Sequence, residues 1–260
     1  MIAAHPEPHR PVLDRRRSAF ATLVRTEAVL NAREIVPLLW GTGFPLALLA
    51  VMGAFSNGPD KALGGVSLVA TYEPVVIAFS LATFALQGVP VVLAGYRERG
   101  ILRRLNATPV GAGRLLAAQL TVSLGLALVS VAGIVVLGRL AFGVPLAGQP
   151  AGFCLALVLT EAAMLGLGLL VAALARTGRV AGAAGTMIFL PLMFFAGLWT
   201  PQATMPAALR RAGDDTPLGA AVAALHSSLS GQWPSLSGLG VLAAYAVVLG
   251  LLAWRFFRWE

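Results

Sequence analysis

Charged residues are scarce in this sequence, and that scarcity excludes a water-soluble fold. Only 12% of the 260 residues are charged, 58% are apolar, and the mean hydropathy is +0.82. Soluble domains carry about 25% charged residues because their surfaces face water. The composition therefore predicts a protein whose surface mostly faces the hydrocarbon of a lipid bilayer.

Cysteine and lysine are each represented by a single residue, and each shortage excludes a kind of site. With Cys154 alone, one chain can form neither a disulfide nor a cysteine-based metal site. A nucleotide-binding P-loop needs Gly-Lys followed by Ser or Thr, whereas Lys61 lies between Asp60 and Ala62. Any ATP-driven work by this protein would therefore need a separate subunit.

Motifs of membrane enzymes are also missing. The three histidines are scattered over a tail and a loop, and neither H-E-x-x-H nor G-x-S-x-G occurs. Asp214 and Asp215, the only adjacent carboxylates, are interpreted as solvated turn residues. The net charge of +8 does not indicate nucleic-acid binding, because the basic residues lie between apolar runs. We assign no catalytic residue and no metal ligand.

Six apolar stretches are long enough to cross a bilayer as helices, which takes about 20 residues each. They are Ile35–Phe55, Thr71–Gly95, Leu115–Leu137, Gly152–Ala175, Val180–Trp199 and Leu236–Trp254. The predicted fold is an all-α polytopic membrane protein. Its transmembrane domain covers residues 35–254, after a cytoplasmic segment of residues 1–34 and before a tail of residues 255–260.

The distribution of basic residues predicts the orientation, because Lys and Arg concentrate in cytoplasmic loops. With the N-terminus inside, fifteen of the nineteen basic residues fall in inner segments. The outer loops then hold only Lys61, Arg139, Arg210 and Arg211. Both termini are therefore predicted to be cytoplasmic.

Small residues recur at four-residue spacing in three pairs, which permits close helix approach. The pairs are Gly178/Gly182, Ala181/Gly185 and Ala162/Gly166. We expect ordinary helix packing at these positions.

Two segments outside the spans are predicted to be helical. Ser18–Glu34 places Phe20, Leu23, Val24 and Leu30 toward one face and suits an amphipathic helix on the inner membrane surface, although an extension of the first span fits equally. The outer loop of residues 200–235 is long for a simple connection. Within it, Leu218–Leu225 suits a short helix that rests in the outer leaflet.

The inner loop from Tyr96 to Pro109 combines arginines with spaced apolar residues. As a short helix ended by Pro109, it would show Ile101, Leu102 and Leu105 on one side and the arginines around the rest. The basic residues alone would fit a simple membrane anchor. The apolar side favours a docked partner or a membrane contact.

Glu161 lies near the middle of the fourth span, where an ionised side chain is costly unless it is paired or hydrated. It is the best candidate in the sequence for lining a substrate path, with Gln87 of the second span as a possible neighbour. A protonated packing residue that never meets substrate is the alternative interpretation.

Two separated motifs resemble the permeases of ABC-type-2 exporters, particularly those of bacterial drug and antibiotic exporters of the daunorubicin-resistance type. The first runs from Arg97 to Leu105, with Ala107-Thr108-Pro109-Val110 and Leu115-Leu116-Ala117-Ala118-Gln119 after it. The second runs from Pro191 to Pro201, with Met205-Pro206 and Thr216-Pro217-Leu218 after it. The sequence departs from the family pattern at Ala196, where serine is common, and at Asp214-Asp215, where an apolar residue usually precedes Thr216.

The resemblance implies a permease in the bacterial inner membrane that exports an amphipathic or hydrophobic molecule, such as a drug, an antibiotic or a lipid-like compound. It implies a dimer of two permeases, identical or related, with two ATPase subunits that bind ATP and magnesium. The first motif would form the coupling helix, at about residues 97–109, that contacts the ATPase. Its residues are Arg97, Glu98, Arg99, Gly100, Ile101, Leu102, Arg103, Arg104 and Leu105.

Two other classes of function stay open at this level. A transporter driven by an ion gradient would normally want intramembrane charges for the coupling ion, and only Glu161 offers itself. A sensor or assembly protein that transports nothing could use the same inner helix to bind a partner.

Overall fold

Among the described residues, the architecture is a bundle of six long apolar helices that packs with four further helices. A computed structural model describes residues 12–55, 58–60, 66–107 and 111–256. The helices are α1 Val12–Arg33, α2 Ile35–Phe55, α3 Leu68–Glu98, α4 Ile101–Asn106, α5 Ala112–Phe142, α6 Pro150–Leu174, α7 Gly178–Ala196, α8 Ala207–Asp214, α9 Pro217–Leu229 and α10 Leu236–Phe256. A 3-10 turn, Gln202–Thr204, precedes α8. Two short strands, β1 Pro59–Asp60 and β2 Val66–Ser67, pair antiparallel between α2 and α3.

Six of these helices are long and apolar enough to cross a membrane: α2, α3, α5, α6, α7 and α10. The predicted six-span, all-α class is confirmed. Lys61, Pro109 and the last four residues of the predicted C-terminal tail lie outside the described residues.

Helix α3 is the central element of the bundle. In the most apolar 18-residue stretch of α3, 78% of the residues are buried, and the same share is 44% or less in every other span. The helix has 31 residues and extends past the predicted end at Gly95. Its last turn therefore contains Arg97 and Glu98, which the sequence analysis placed in the loop. An apolar window ends at the first charged residue, but the helix continues as long as its backbone hydrogen bonds are made.

A buried polar cluster joins α2, α3 and α5. The Ser80 hydroxyl donates to the Gly41 carbonyl oxygen at 2.6 Å, and the Ser130 hydroxyl donates to the same oxygen at 3.0 Å. The two hydroxyl oxygens are 2.7 Å apart, and both serines are fully buried. Gly41 lies in a π-helical turn of α2, Leu39–Gly43. Such turns shift the backbone hydrogen bonds, and Ser and Thr hydroxyls can satisfy the carbonyls involved.

Glycines let α6 and α7 approach the backbone of α3 at a second π-helical turn, Phe84–Gly88. A Cβ atom at Gly168 of α6 would overlap the carbonyl oxygen of Ala85, and one at Gly185 of α7 would overlap that of Leu86. A Cβ atom at Gly178 would lie 3.1 Å from the carbonyl oxygen of Val91, and one at Gly182 would lie 3.3 Å from a methyl group of the Val91 side chain. The small residues thus allow close helix contacts, as their spacing predicted.

Helix α9 differs from the prediction for the outer loop. Leu218, Ala221 and Leu225 are fully buried, and α9 contacts α3, α6, α7 and α10. A helix of 13 residues is about 20 Å long and cannot cross a core of about 30 Å. The helix at Leu218–Leu225 therefore exists, but it enters the bundle instead of resting in the outer leaflet.

Helix α1 is separate from the first span. Glu34 has an extended backbone, with φ −85° and ψ 93°, between the end of α1 and the start of α2. Among the side chains described in α1, the buried one is the carboxylate of Glu27, whereas Leu30 of the predicted apolar face is 44% exposed. The alternative of a continuous extension of the first span is wrong.

We expect Gly185→Ala and Gly168→Ala to destabilise the protein by about 1–3 kcal/mol each, because the added methyl group meets a backbone carbonyl that cannot rotate away. Thermal unfolding of the purified protein in detergent measures the effect. Gly125→Ala is the matched control, since nothing lies within 4 Å of its Cβ position and alanine favours a helix. Equal unfolding temperatures for all three variants would contradict this account of the α3 contacts.

Candidate coupling site

The predicted coupling residues lie at the end of the bundle where α3 finishes and α4 follows. The α6–α7 connection reaches the same place, because Arg97 and Glu98 of α3 contact residues 173–178. We call this the basic end, since Arg97, Arg99, Arg103, Arg104, Arg176 and Arg179 are all found there. The opposite end carries α8 and the start of α9.

Two adjacent charges in the last turn of α3 satisfy the ends of two other helices. Arg97 Nη1 donates to the carbonyl oxygen of Ala173 at 3.2 Å, and Nη2 donates to that of Ala175. The backbone N–H of Gly178, at the start of α7, donates to Glu98 Oε2 at 3.1 Å. A cation at a helix C-terminus and an anion at a helix N-terminus both complement the helix dipole. Arg97 and Glu98 therefore hold the α6–α7 turn against α3.

Tyr96 links α3 to α1. Its hydroxyl donates to both carboxylate oxygens of Glu27, at 2.9 and 3.1 Å. Burial raises the pKa of the Glu27 carboxyl and Glu34 raises it further, while the hydrogen bond from Tyr96 lowers it. The guanidinium of Arg99 lies 5.5 Å from the centre of the Tyr96 ring, within cation–π distance. Glu27 gives no signal in the sequence, since its partner comes 69 residues later.

The predicted coupling segment is not a single helix. Gly100 has φ +68°, a left-handed conformation that favours glycine, and it separates α3 from α4. Arg97–Arg99 thus belong to the end of α3 and its cap, and Ile101–Asn106 form α4. Asn106 Oδ1 accepts from the N–H of Ala112 at 3.1 Å, which fixes the end of α4 to the start of α5.

The apolar side of α4 faces this chain. Leu102 is 1% exposed and packs with Leu23 of α1 and with Ala112 and Leu115 of α5. Ile101 and Leu105 are half-buried against the same cluster. The interpretation of these three residues as the contact with a docked partner is therefore wrong for Leu102, which anchors α4 internally. The side chains of Arg99, Arg103 and Arg104 are exposed, and we call these three residues the arginine face.

Glu161 is buried inside the subunit. It lies seven residues before Gly168, on the face of α6 that packs against α3. Only 4% of the residue is exposed, and neither carboxylate oxygen has a hydrogen-bond partner among the described residues. Contact with a substrate would require α3 and α6 to separate.

Gln87 and Glu161 are not brought together. Ala85 lies against Gly168, and α3 and α6 run in the same direction, so Gln87 is about two and a half helical turns from Glu161 along the axis. Gln87 is half-buried in the π-helical turn of α3. The packing at Gly168 therefore places the two side chains at different levels of the bundle.

Comparison with known families decides what kind of protein carries these features. Residues 18–229 match the model of the family described as ABC-2 type transporter. The chain belongs to the ABC-2 type transporter family. The match includes all of α3 and α4, with the Arg97 and Glu98 contacts. No curated protein matches the sequence.

Membership identifies this ABC-2 type chain as the membrane component of an ABC transporter. In this family the membrane domain generally works with an ATPase subunit and is not itself catalytic. Five of the six candidate spans lie within the matched residues. The multi-pass membrane location predicted from composition is confirmed.

We expect Arg97→Gln to loosen the α6–α7 turn of this permease, because the carbonyls of Ala173 and Ala175 lose a charged donor. Loss of such a charge-assisted hydrogen bond costs about 1–3 kcal/mol, which should raise amide hydrogen exchange in residues 174–180 by roughly tenfold. Exchange mass spectrometry of the purified protein measures it. Arg99→Gln is the control, since the hydrogen bond from Arg99 Nε to Gly95 and the contact with the Tyr96 ring both stay within α3. Indistinguishable exchange in the two variants would show that Arg97 does not hold the turn.

Proposed function

We propose that this chain is the permease of an ATP-driven exporter and that the arginine face binds its ATPase subunit. The observation that carries the proposal is the construction of α4. Its apolar side is anchored in the chain through Leu102, while Arg103 and Arg104 are exposed. A helix whose apolar face is packed on its own chain and whose charged face is exposed suits a contact that transmits movement from a partner. The missing P-loop supports a separate ATPase that binds ATP and magnesium.

The connections of the basic end supply a route for that force. A movement of α4 acts on α1 and α5 through the cluster around Leu102, and on α3 across Gly100. Arg97 and Glu98 then pass the movement of α3 to α6 and α7. In this scheme Arg97, Glu98 and Leu102 position the helices, and the arginine face makes the contact.

The predicted orientation fits the same proposal. An ATPase subunit is cytoplasmic, so the basic end and both termini face the cytoplasm of a bacterial cell, in agreement with the arginine distribution. We infer two permeases and two ATPases for each exporter. The cargo is an amphipathic or hydrophobic molecule, such as a drug, an antibiotic or a lipid-like compound, as the daunorubicin-type resemblance suggests.

Glu161 belongs to the proposed path only in a conformation that separates α3 from α6. An unpaired carboxylate exposed in that way would attract a cationic cargo. Gln87 would line the same gap closer to the basic end. In the closed packing around Gly168, Glu161 is buried and Gln87 is half-buried.

We expect Arg103→Glu combined with Arg104→Glu to abolish copurification of the ATPase and to lower ATP-dependent efflux from reconstituted vesicles at least about tenfold, because reversal of two charges repels a partner that complements them. The matched control is Arg210→Glu with Arg211→Glu, an exposed arginine pair at the opposite end. Wild-type ATPase binding by the Arg103/Arg104 variant would refute the proposed contact. Full transport by the permease without any ATPase would refute the function itself.

We expect Glu161→Gln to lower efflux of cationic cargos about tenfold while efflux of neutral ones stays unchanged, since only the charge is removed. Efflux of paired cationic and neutral dyes from vesicles measures this ratio. Glu73→Gln is the control, because Glu73 is another buried span carboxylate but lies against Gly138 of α5. An unchanged ratio for Glu161→Gln would make Glu161 a packing residue.

A further inference from the structure

A cavity of 570 Å³ opens at the basic end between α1, the last turns of α3 and the start of α7. Its volume is within the range of about 300–1,000 Å³ that is common for small-molecule sites. None of the packing contacts described above fills it. The α1 side contributes Leu30 and Glu34, and α7 contributes Arg179.

The lining of this cavity carries charges of both signs. Three carboxylates, Glu27, Glu34 and Glu98, contribute to it together with the guanidiniums of Arg99 and Arg179. Glu27 and Glu98 already accept hydrogen bonds from the protein. Glu34 and Arg179 are exposed, so their charged groups can turn toward a ligand. A ligand with one charge only would meet repulsion from one of the two sets.

The cavity also has an apolar side that reaches the surface. Leu30 and Val91 line it, and they are 44% and 37% exposed. Val91 lies within α3, two turns before that span ends, so this opening is at the level where a membrane helix leaves the hydrocarbon. Acyl chains could leave the cavity along these two side chains, with the polar groups held deeper among the charged residues.

We propose that this cavity binds the headgroup of a zwitterionic phospholipid, with its phosphate at Arg99 and Arg179 and its ammonium group at Glu34 and Glu27. The three features that support it are the mixed charges, the apolar opening and the position at a helix end. The lipid site shares Arg99 with the arginine face, so the proposal is tested at Arg179 and Glu34, which line the cavity and lie outside that face. A bound lipid would bridge α1 to α7, which share no other charged contact in the description above.

Native mass spectrometry of the full-length protein in detergent tests the proposal by titration with phosphatidylethanolamine and with phosphatidylglycerol of the same acyl chains. We expect phosphatidylethanolamine to bind more tightly. Arg179→Gln and Glu34→Gln should each weaken it about tenfold, the usual scale for loss of one charge-assisted contact. Arg176→Gln is the matched control, an exposed arginine three residues from Arg179 that does not line the cavity, and it should bind as the wild type does.

Three results would overturn the proposal. Equal or tighter binding of phosphatidylglycerol would show that the ammonium group is not recognised. Equal losses in the Arg176 and Arg179 variants would show general surface charge. Displacement by water-soluble phosphoethanolamine at the same concentration as the lipid would show that the acyl chains add nothing. A further variant, Leu30→Trp, narrows the opening at an exposed position and should weaken lipid binding. It tests the site if either charge variant fails to fold.

Discussion

Backbone polar groups have no water to bond with inside hydrocarbon, and most of the features of this protein follow from that constraint. Regular helices satisfy their own groups, so the exceptions are the helix ends and the irregular turns. Here side chains from other elements serve those places. Within the bundle, the hydroxyls of Ser80 and Ser130 satisfy a carbonyl in the π-helical turn of α2. At the basic end, where the spans leave the hydrocarbon, Arg97 and Glu98 satisfy the ends of α6 and α7. The same contacts that satisfy the backbone also fix how the helices are arranged.

Helix α3 is central because it takes part in nearly all of these contacts. Its middle accepts the glycines of α6 and α7, and its last turn holds the α6–α7 connection and α1. On a helix face that is exposed to lipid, many different apolar residues would be tolerated. Helix α3 has few such sides, so its sequence is constrained by packing along most of its length.

Sequence reasoning predicted the number of spans well, because twenty consecutive apolar residues are a strong local signal. It also selected the loop with the arginine face, since charge and spacing are visible in the sequence. It was wrong where the outcome depended on distant partners. The apolar residues of α4 pack on Leu23 and Leu115, and a pattern cannot tell an internal contact from an external one. Three further outcomes depend on how the helices assemble. Helix α9 is buried, Gln87 and Glu161 lie at different levels, and Glu27 pairs with Tyr96.

The bond between Glu27 and Tyr96 has a consequence for biogenesis. Glu27 leaves the ribosome 69 residues before its partner, and two membrane crossings separate them in the chain. Helix α1 therefore cannot reach its final position until the hairpin of α2 and α3 has been inserted. During synthesis α1 can dock only after the insertion machinery has delivered the second crossing.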